Sequence, residues 1–221
     1  MSAPTQTTEV VKVDAQEPDP QVIKRAAEVI LGGGLAVLPT DTVYGLVCDP
    51  RQAAAVDRVY AVKQRSRDLP LVLLLYDMVH VETFLQEVPP AAVRAMQEFW
   101  PGALTVVLRD CSPTTAPLRA CLETIGMRLP AHLVPREVAM YVGGGLASTS
   151  ANLSGGPSPV TADKALAQLD GLVNLVLDAG PTPFAHESTV VSFVNDPPEV
   201  LRAGAISVSR LREVLGDVRE K

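Results

Sequence analysis

The sequence predicts an α/β protein in which one domain holds a mixed, mostly buried sheet with flanking helices. Helical and strand-like segments interleave from about residue 22 to residue 215. The strand-like runs are continuously apolar instead of alternating, as is typical of strands covered on both faces. No proline-rich linker and no internal repeat divides the chain. These three observations favour a single layered domain over two small ones.

Apolar spacing and turn residues place the individual elements along the chain. The spacing of Val22, Ile23, Ala26, Ala27 and Ile30 indicates a helix, which Gly32 to Gly34 should end. A strand follows at 34–39, and the segment after it, 39–50, reads as a loop. Further helices are predicted at 52–64, at 79–99 in two pieces split by the prolines at 89 and 90, and at 135–142, 161–169 and 207–215. Further strands are predicted at 71–75, 103–109, 125–130, 146–149, 173–178 and 188–194.

The first 18 residues differ from the rest of the chain in being polar and interrupted by prolines. Such a segment can be a loose tail or a short edge strand. We therefore expect a polar N-terminal tail at 1–18 and one folded domain at 19–216.

Composition narrows the classes of function. The chain has 221 residues, of which 47% are hydrophobic and 20% charged, as in a packed globular protein. A formal net charge of −6 argues against nucleic-acid binding that depends mainly on electrostatics. It does not exclude a local basic patch, because net charge does not show where the charges lie. Three cysteines at no metal-ligand spacing fit a reducing compartment. No secretory signal is present, and the apolar run at 69–76 is too short to span a membrane, so we expect a cytoplasmic protein without membrane partners.

Familiar nucleotide and metal motifs are missing from the sequence. It contains no GxxxxGK[ST], no GxGxxG after a strand, no HExxH and no GxSxG. Its three histidines, His80, His132 and His186, are scattered, and each is better explained as a packing or surface residue than as a metal ligand. We therefore predict no metal site built by the protein itself.

Three polar segments each follow a predicted strand or helix. Open α/β sheets bind ligands at the ends of their strands. Residues 39–45 hold three hydroxyl-bearing side chains and a carboxylate, residues 63–67 hold three cations, and residues 148–156 hold hydroxyls, an amide and glycines. Each has an ordinary explanation: a turn, a solvated helix end whose cations complement the helix dipole, or a capped loop. Each also fits a polar substrate, a polyphosphate or a ribose.

Arg128 is the most informative single residue, because it lies inside the apolar segment IGMRLP. Burying an unpaired charge is costly, so its guanidinium should meet a carboxylate, either from the protein or from a ligand. Glu187, Ser188 and Arg202 flank the last strand pair and add another hydroxyl and another cation.

Taken together, these segments resemble the YrdC-like family of threonylcarbamoyl-AMP synthases, from about residue 21 to residue 215. Seven motifs occur in the order and at the spacing of that family: PTDTVYGL from Pro39, KQR from Lys63 with Pro-Leu five residues after the arginine, WPGALT from Trp100, IGMRLPAH from Ile125, STSANLSG from Ser148, HEST from His186 and VLRAG from Val200. The resemblance implies a twisted sheet with a concave ligand cavity and a short, single-domain form of the enzyme.

The resemblance also implies substrates and binding residues. Family members use L-threonine, bicarbonate and ATP with Mg²⁺, and their product passes to a tRNA-modifying complex. The expected threonine-binding residues are Thr42, Arg128, Ser148 and Ser188. The expected ATP-binding residues are Lys63, Arg65, Thr124, Ser150, Asn152, Ser158 and Arg202. The metal is expected on the ATP phosphates, with no protein ligand.

The sequence departs from the family pattern at four positions. Leu69 replaces an asparagine of many members, Leu74 a histidine of the longer ones, His186 an aliphatic residue and Ala203 a proline. Two other functions on the same fold stay open: another carbamoyl-type activity, or RNA binding without catalysis. The low basic content and the few aromatic residues, 4% of the chain, argue against the second.

Overall fold

The computed structural model describes residues 7–85, 87–120 and 122–220. Cys121 and the first six residues of the predicted tail lie outside the described part. Within it the chain forms one eleven-stranded mixed sheet, in the order β1-β8-β2-β3-β7-β4-β6-β5-β9-β10-β11. The predicted fold class, a twisted mixed sheet with flanking helices, is confirmed.

The strands are short, with two to six residues each. Their bounds are β1 Glu9–Lys12, β2 Ala36–Leu38, β3 Gly45–Cys48, β4 Val72–Leu75, β5 Leu104–Arg109, β6 Thr124–Arg128, β7 Gly145–Ser150, β8 Leu175–Asp178, β9 Thr189–Ser192, β10 Glu199–Arg202 and β11 Arg219–Glu220. The helices are α1 Pro20–Leu31, α2 Ala53–Lys63, α3 His80–Phe84, α4 Pro90–Phe99, α5 Leu133–Val142, α6 Ala162–Leu169 and α7 Val208–Leu215, with a 3₁₀ turn at Ala116–Leu118.

Local sequence explains where the helices begin and end. In α1 the Asp19 carboxylate accepts a hydrogen bond from the Gln21 backbone N–H, and Pro20 occupies the first turn, where no N–H is needed. Helices α6 and α7 begin in the same way, with Thr161 and Ser207 as side-chain caps. Helix α5 ends at Gly143, whose φ of 112° is a conformation that favours glycine.

Alternate residues of the strands pack into two separate apolar clusters, one on each face of the sheet. Val37 belongs to one cluster, whereas its neighbours Ala36 and Leu38 belong to the other. Helices α2, α4, α6 and α7 cover the first face, and α1 and α5 cover part of the second. The molecule therefore has three layers, and helices cover one face of the sheet more fully than the other.

The uncovered part of the second face is where the sheet becomes polar. Leu146 of β7 packs under the helices of that face, but Ser148 and Ser150 continue the same face toward the strand end. Leu74 and Arg128 lie opposite each other in the pairing of β4 with β6. A concave surface thus remains over the middle strands.

The structure corrects parts of the sequence interpretation. Residues 45–48, predicted as loop, form β3, because this apolar segment pairs antiparallel with both β2 and β7. Strand β11 and the 3₁₀ turn were not predicted. Residues 9–12 form an edge strand beside β8, which is one of the two alternatives for the N-terminal segment. The domain limits at residues 19 and 216 stay a prediction. No helix in the described ranges combines the length and apolar character that crossing a membrane requires.

Candidate active site

A cavity of about 340 Å³ opens on the exposed polar face of the central strands. This volume is at the lower end of the range typical of small-molecule sites. Ten of the eleven predicted binding residues line it. The exception is Thr124, which opens β6 opposite Arg109 of β5 and does not line the cavity. The residues that line the cavity and were predicted to bind a ligand are Thr42, Lys63, Arg65, Arg128, Ser148, Ser150, Asn152, Ser158, Ser188 and Arg202.

Arg128 lies at the buried end of the cavity with 5% of its surface exposed. Its Nη2 forms an ion pair with Asp41 Oδ1 at 2.6 Å, its Nη1 donates to Thr42 Oγ1 at 2.7 Å, and its Nε donates to the Gly102 carbonyl at 2.9 Å. Burial lowers the pKa of this guanidinium, and the Asp41 charge opposes that effect. The protein itself thus supplies a carboxylate for Arg128, while the side chain still forms part of the cavity wall.

Asp41 holds the Arg128 guanidinium in place. Its Oδ1 also accepts a hydrogen bond from the Ala131 backbone N–H at 3.1 Å, whereas its buried Oδ2 has no partner within the described part of the chain. A second pocket of about 120 Å³ lies on that side and is lined by Asp41, His132 and Thr182 among others. This pocket is large enough to hold water.

Hydroxyl groups surround the arginine and form a directed chain. Thr40 Oγ1 donates to the Val43 carbonyl at 2.7 Å, so the Thr42 hydroxyl, 3.0 Å away, is left to donate to Thr40 and to accept from Arg128. On the next strands Ser188 Oγ lies 2.8 Å from Thr105 Oγ1. These hydroxyls are nearly inaccessible to solvent and are already oriented.

Lys63 is the last residue of α2, and the contacts of its ammonium differ from those expected of an ATP-binding residue. Its Nζ lies at the cavity but donates to three protein oxygens: the Ser150 carbonyl at 2.5 Å, the Asn152 carbonyl at 2.6 Å and Asn152 Oδ1 at 3.0 Å. Burial, and after it the charge of Arg65, lower its pKa to about 8. The ammonium therefore holds the loop after β7 in place, with each of its three protons used.

The loop after β7 is built from its own polar side chains. Ser150 Oγ donates to Asn152 Oδ1 at 2.5 Å, and Asn152 Nδ2 donates to the Gly156 carbonyl at 2.6 Å. Gly155, with φ of 82°, has open space where a Cβ would be. The loop therefore presents hydroxyls and backbone to the cavity without a bulky side chain.

Arg65 and Arg202 are the more accessible cations. Among the described residues, the Arg65 side chain donates hydrogen bonds only to the carbonyls of Leu69 at 3.4 Å and Pro70 at 3.2 Å. Arg202 donates through Nε and Nη2 to the Ser188 carbonyl, at 3.2 and 2.8 Å, and its Nη1 forms an ion pair with Glu187 Oε2 at 2.7 Å. Burial lowers the pKa of Arg65, and the charge of Arg202 adds to the effect.

The four departures from the family pattern fall at different places. Leu74 lines the cavity beside Arg128, so its change places an apolar side chain at the buried end. Leu69 is exposed and contributes no lining surface. His186 and Ala203 are both exposed.

The sequence left open whether Arg128 pairs with a carboxylate of the protein or of a ligand, and it did not identify Asp41 as the partner. The contact of Thr105 with Ser188 was not predicted, although Thr105 lies in the noted motif WPGALT. The histidines do not gather: His132 caps α5 by accepting from the Val134 N–H, and His80 stacks edge-on against Tyr76. Across the part of the chain that the structure describes, no three His, Cys, Asp or Glu residues are grouped so as to hold a metal ion.

Comparisons with known proteins agree with this architecture. The family model Sua5_yciO_yrdC, described as "Telomere recombination", matches residues 28–204. The chain is 38% identical to a protein of Bacillus subtilis named threonylcarbamoyl-AMP synthase, over 90% of this chain and 58% of that protein. It is 39% identical to a Mycobacterium leprae protein assigned provisionally to the same activity, over 93% of this chain and 94% of that protein.

Two solved structures are similar in fold. P. abyssi Sua5 complexed with L-threonine superposes with a TM-score of 0.93 at 31% identity, covering 97% of this chain and 63% of that one. E. coli YciO superposes with a TM-score of 0.84 at 25% identity, covering 93% of this chain and all of the other. The chain therefore spans less than two thirds of Sua5. With the family model matched over most of its length, this chain belongs to the Sua5/YciO/YrdC family.

Proposed function

We propose that the protein is an L-threonylcarbamoyladenylate synthase. It converts L-threonine, bicarbonate or CO₂, and ATP into threonylcarbamoyl-AMP and pyrophosphate. The observation that carries the proposal is the distribution of charge in one cavity. One buried arginine lies among hydroxyls at the inner end, and two accessible arginines lie toward the outer end.

The inner end fits an amino acid. The Arg128 guanidinium offers a positive wall for the threonine carboxylate, and the hydroxyls of Thr42, Ser148 and Ser188 offer partners for its amine and side-chain hydroxyl. Because Arg128 already pairs with Asp41, the substrate carboxylate would share the cation with this aspartate.

The outer end fits a nucleotide. Arg65 and Arg202 are positioned for the phosphates, and Ser150, Asn152 and Ser158 border the loop that would follow the ribose and phosphates. Lys63 supports that loop from below. Thr124 remains assigned to ATP by family resemblance alone. Mg²⁺ bound to the ATP phosphates would reduce their charge.

The reaction needs positioning more than acid–base chemistry. The threonine amine forms a carbamate, either by adding to CO₂ with loss of a proton or by reacting with bicarbonate with loss of water. A carbamate oxygen then attacks the α-phosphorus. The bond from this phosphorus to the bridging oxygen breaks, and pyrophosphate leaves with the electron pair. The protein contributes by holding both substrates in one cavity and by offering cations to the phosphates.

The later fate of the product also belongs to the proposal. Threonylcarbamoyl-AMP would pass to a tRNA-modifying complex in the cytoplasm, where threonylcarbamoyladenosine is made. Direct, weak RNA binding by this chain stays a prediction, and its test is binding of tRNA without nucleotide.

Pyrophosphate release tests the function directly. Release should require L-threonine and bicarbonate together, because the carbamate formed from both is the nucleophile. Omitting either one, or replacing L-threonine with D-threonine, should reduce release to background. Equal release without threonine would contradict the proposed function. An RNA-binding protein without catalysis would release no pyrophosphate under any of these conditions.

A further inference from the structure

Glu187 is the one carboxylate among the described residues that line the cavity, beside four cations. It lies on the side assigned to the nucleotide, in contact with two of the predicted ATP residues. Its Oε1 accepts from Ser158 Oγ at 2.5 Å and its Oε2 pairs with Arg202 Nη1 at 2.7 Å. If the phosphates of ATP take Arg202 as their partner, the Glu187 carboxylate loses its ion pair and faces the phosphates, so another cation is needed to compensate its charge.

The backbone of Glu187 is held firmly, although its side chain is accessible. The Glu187 carbonyl accepts from the Ala205 N–H at 2.9 Å. Gly204 approaches so closely that a Cβ there would lie 2.4 Å from this carbonyl oxygen. The Glu187 side chain is nevertheless 35% exposed. A fixed backbone with a reachable carboxylate is suited to bind an ion that enters with the ligand.

The ion pair between Glu187 and Arg202 is arranged so that each side chain can take a new partner. Arg202 is anchored to the Ser188 carbonyl through Nε and Nη2, and only Nη1 is committed to Glu187. Partly exposed ion pairs contribute little stability, so separating this one costs little. Once a cation takes over Glu187, Nη1 becomes free for a phosphate oxygen while the rest of the guanidinium stays in place.

The chemistry of the carboxylate indicates which cation. Mg²⁺ prefers oxygen ligands and is usually bound by one or two carboxylates together with substrate phosphates and water. Each Glu187 oxygen accepts one hydrogen bond and so retains a free lone pair. We propose that Glu187 is the protein ligand for the Mg²⁺ that accompanies ATP, and that metal binding transfers Arg202 Nη1 from Glu187 to the phosphates. This inference rests on the proposed function and differs from the expectation that the metal has no protein ligand.

The test measures ATP affinity twice for each protein, once with excess Mg²⁺ and once with EDTA, in the absence of threonine. Its readout is the ratio of the two dissociation constants. In the wild-type protein Mg²⁺ should strengthen ATP binding. In Glu187→Gln, which keeps a hydrogen-bond acceptor but loses the charge, this enhancement should fall about tenfold or more, as expected for loss of a metal-site contact. Binding without metal should be unchanged or improved, because a negative charge has been removed.

Two further variants make the measurement specific. Glu187→Asp keeps the carboxylate and should recover part of the Mg²⁺ enhancement. Glu98→Gln removes a carboxylate from a similarly exposed pair with Arg210, away from the cavity, and should leave the ratio unchanged. Replacing Mg²⁺ with Mn²⁺ gives a readout that does not depend on turnover, because the paramagnetic resonance signal measures the concentration of free Mn²⁺. With both ATP and protein present, this concentration should drop less for Glu187→Gln than for the wild type.

Three results would overturn the inference. An unchanged ratio in Glu187→Gln without weaker ATP binding would mean that the metal acts on ATP alone. An unchanged ratio with ATP binding weakened equally in both conditions would mean that Glu187 only orients Arg202. A ratio that falls as much in Glu98→Gln would indicate a general charge effect. Absence of ATP binding by the wild-type protein in both conditions would overturn the proposed function together with the inference, which distinguishes the two failures.

Discussion

The two ends of the cavity differ in how much of their organisation exists before a ligand binds. At the inner end Arg128 uses all its nitrogens in contacts of 2.6 to 2.9 Å and is almost fully buried. At the outer end Arg65 makes two long contacts to backbone carbonyls, and the Arg202 side chain is 45% exposed. The inner end is preorganised, whereas the outer end is completed by what enters it.

This difference follows from the costs of burial. A buried cation must be paired before any ligand arrives, so the protein supplies Asp41. An accessible cation keeps part of its hydration, so two backbone carbonyls suffice for Arg65, and a partly exposed pair with Glu187 suffices for Arg202. Substitutions at the inner end should therefore affect stability and binding together, whereas those at the outer end should affect binding alone.

Arg128→Ala should have the largest effect. It leaves Asp41 buried without its partner, and breaking a buried pair in this way typically costs about 3–5 kcal/mol of stability. Arg128→Lys should weaken threonine saturation nearly as much as Arg128→Ala, because a point charge cannot reproduce the fork. Thermal unfolding and threonine dependence of pyrophosphate release are measured on the same proteins.

Asp41→Asn separates the two roles of this pair. It retains Arg128, so a loss of threonine affinity in Arg128→Lys but not in Asp41→Asn would identify the arginine as the carboxylate partner. An Arg128→Ala protein of unchanged melting temperature and normal threonine saturation would contradict both roles.

Lys63→Met should come next, because it removes the Lys63 donor from the Ser150 and Asn152 carbonyls, whereas Asn152 Oδ1 keeps its hydrogen bond from Ser150. At about 1 kcal/mol for each of the two carbonyls, the lower end of the usual range, the free energy of unfolding should fall by about 2 kcal/mol. Lys164→Met removes a lysine from α6, outside the cavity lining, and serves as the control. Urea-induced unfolding measures the free energy of unfolding of both variants.

The pKa of Lys63 adds a pH dependence to this comparison. Burial lowers that pKa from 10.5 to about 8, so between these values the unfolded chain keeps a proton that the folded protein has released. The contribution of Lys63 to the free energy of unfolding therefore rises with pH across this window. The stability difference between the wild type and Lys63→Met should grow from about pH 8 to about pH 10. A difference that stays constant would contradict the lowered pKa.

Arg65→Ala should weaken ATP binding without lowering stability. Losing a charge-assisted contact of this kind should cost about 1.5–3 kcal/mol of binding free energy. Arg67→Ala is a matched control two residues away, since Arg67 pairs with Asp57 and stacks on Tyr60 outside the cavity. Calorimetric titration with ATP and with threonine compares the two variants. If threonine affinity drops while ATP affinity stays the same, the two ends of the cavity have been assigned in reverse.

Thr124→Ala should have the smallest effect and marks the limit of the outer end. Because Thr124 does not line the cavity, its loss should leave ATP affinity nearly unchanged. Ser158→Ala, at a residue that does line the cavity, is the comparison. A larger loss in Thr124→Ala than in Ser158→Ala would restore Thr124 to the ATP site.

The sequence predicts which residues line the cavity far better than it predicts the contacts that these residues make with one another. The resemblance to the family motifs groups Thr42, Arg128 and Ser148 in one predicted site, and all three line the same cavity. The pairing of Arg128 with Asp41 depends on how residues 87 positions apart are aligned by the sheet, which no local pattern encodes. The strand at 45–48 was missed for the same reason, since a four-residue apolar segment becomes a strand only when β2 and β7 lie beside it.

The lengths of the outermost strands bear on how this protein behaves in a crowded solution. A sheet of eleven strands presents unpaired backbone groups along two edges, and such edges can recruit strands from other molecules. Here the edges are β1, with four residues, and β11, with two. Charged side chains open and close β1 and make up all of β11. Neither edge offers a neighbouring molecule a long, flat, apolar template, so the large sheet can remain unassociated at high concentration.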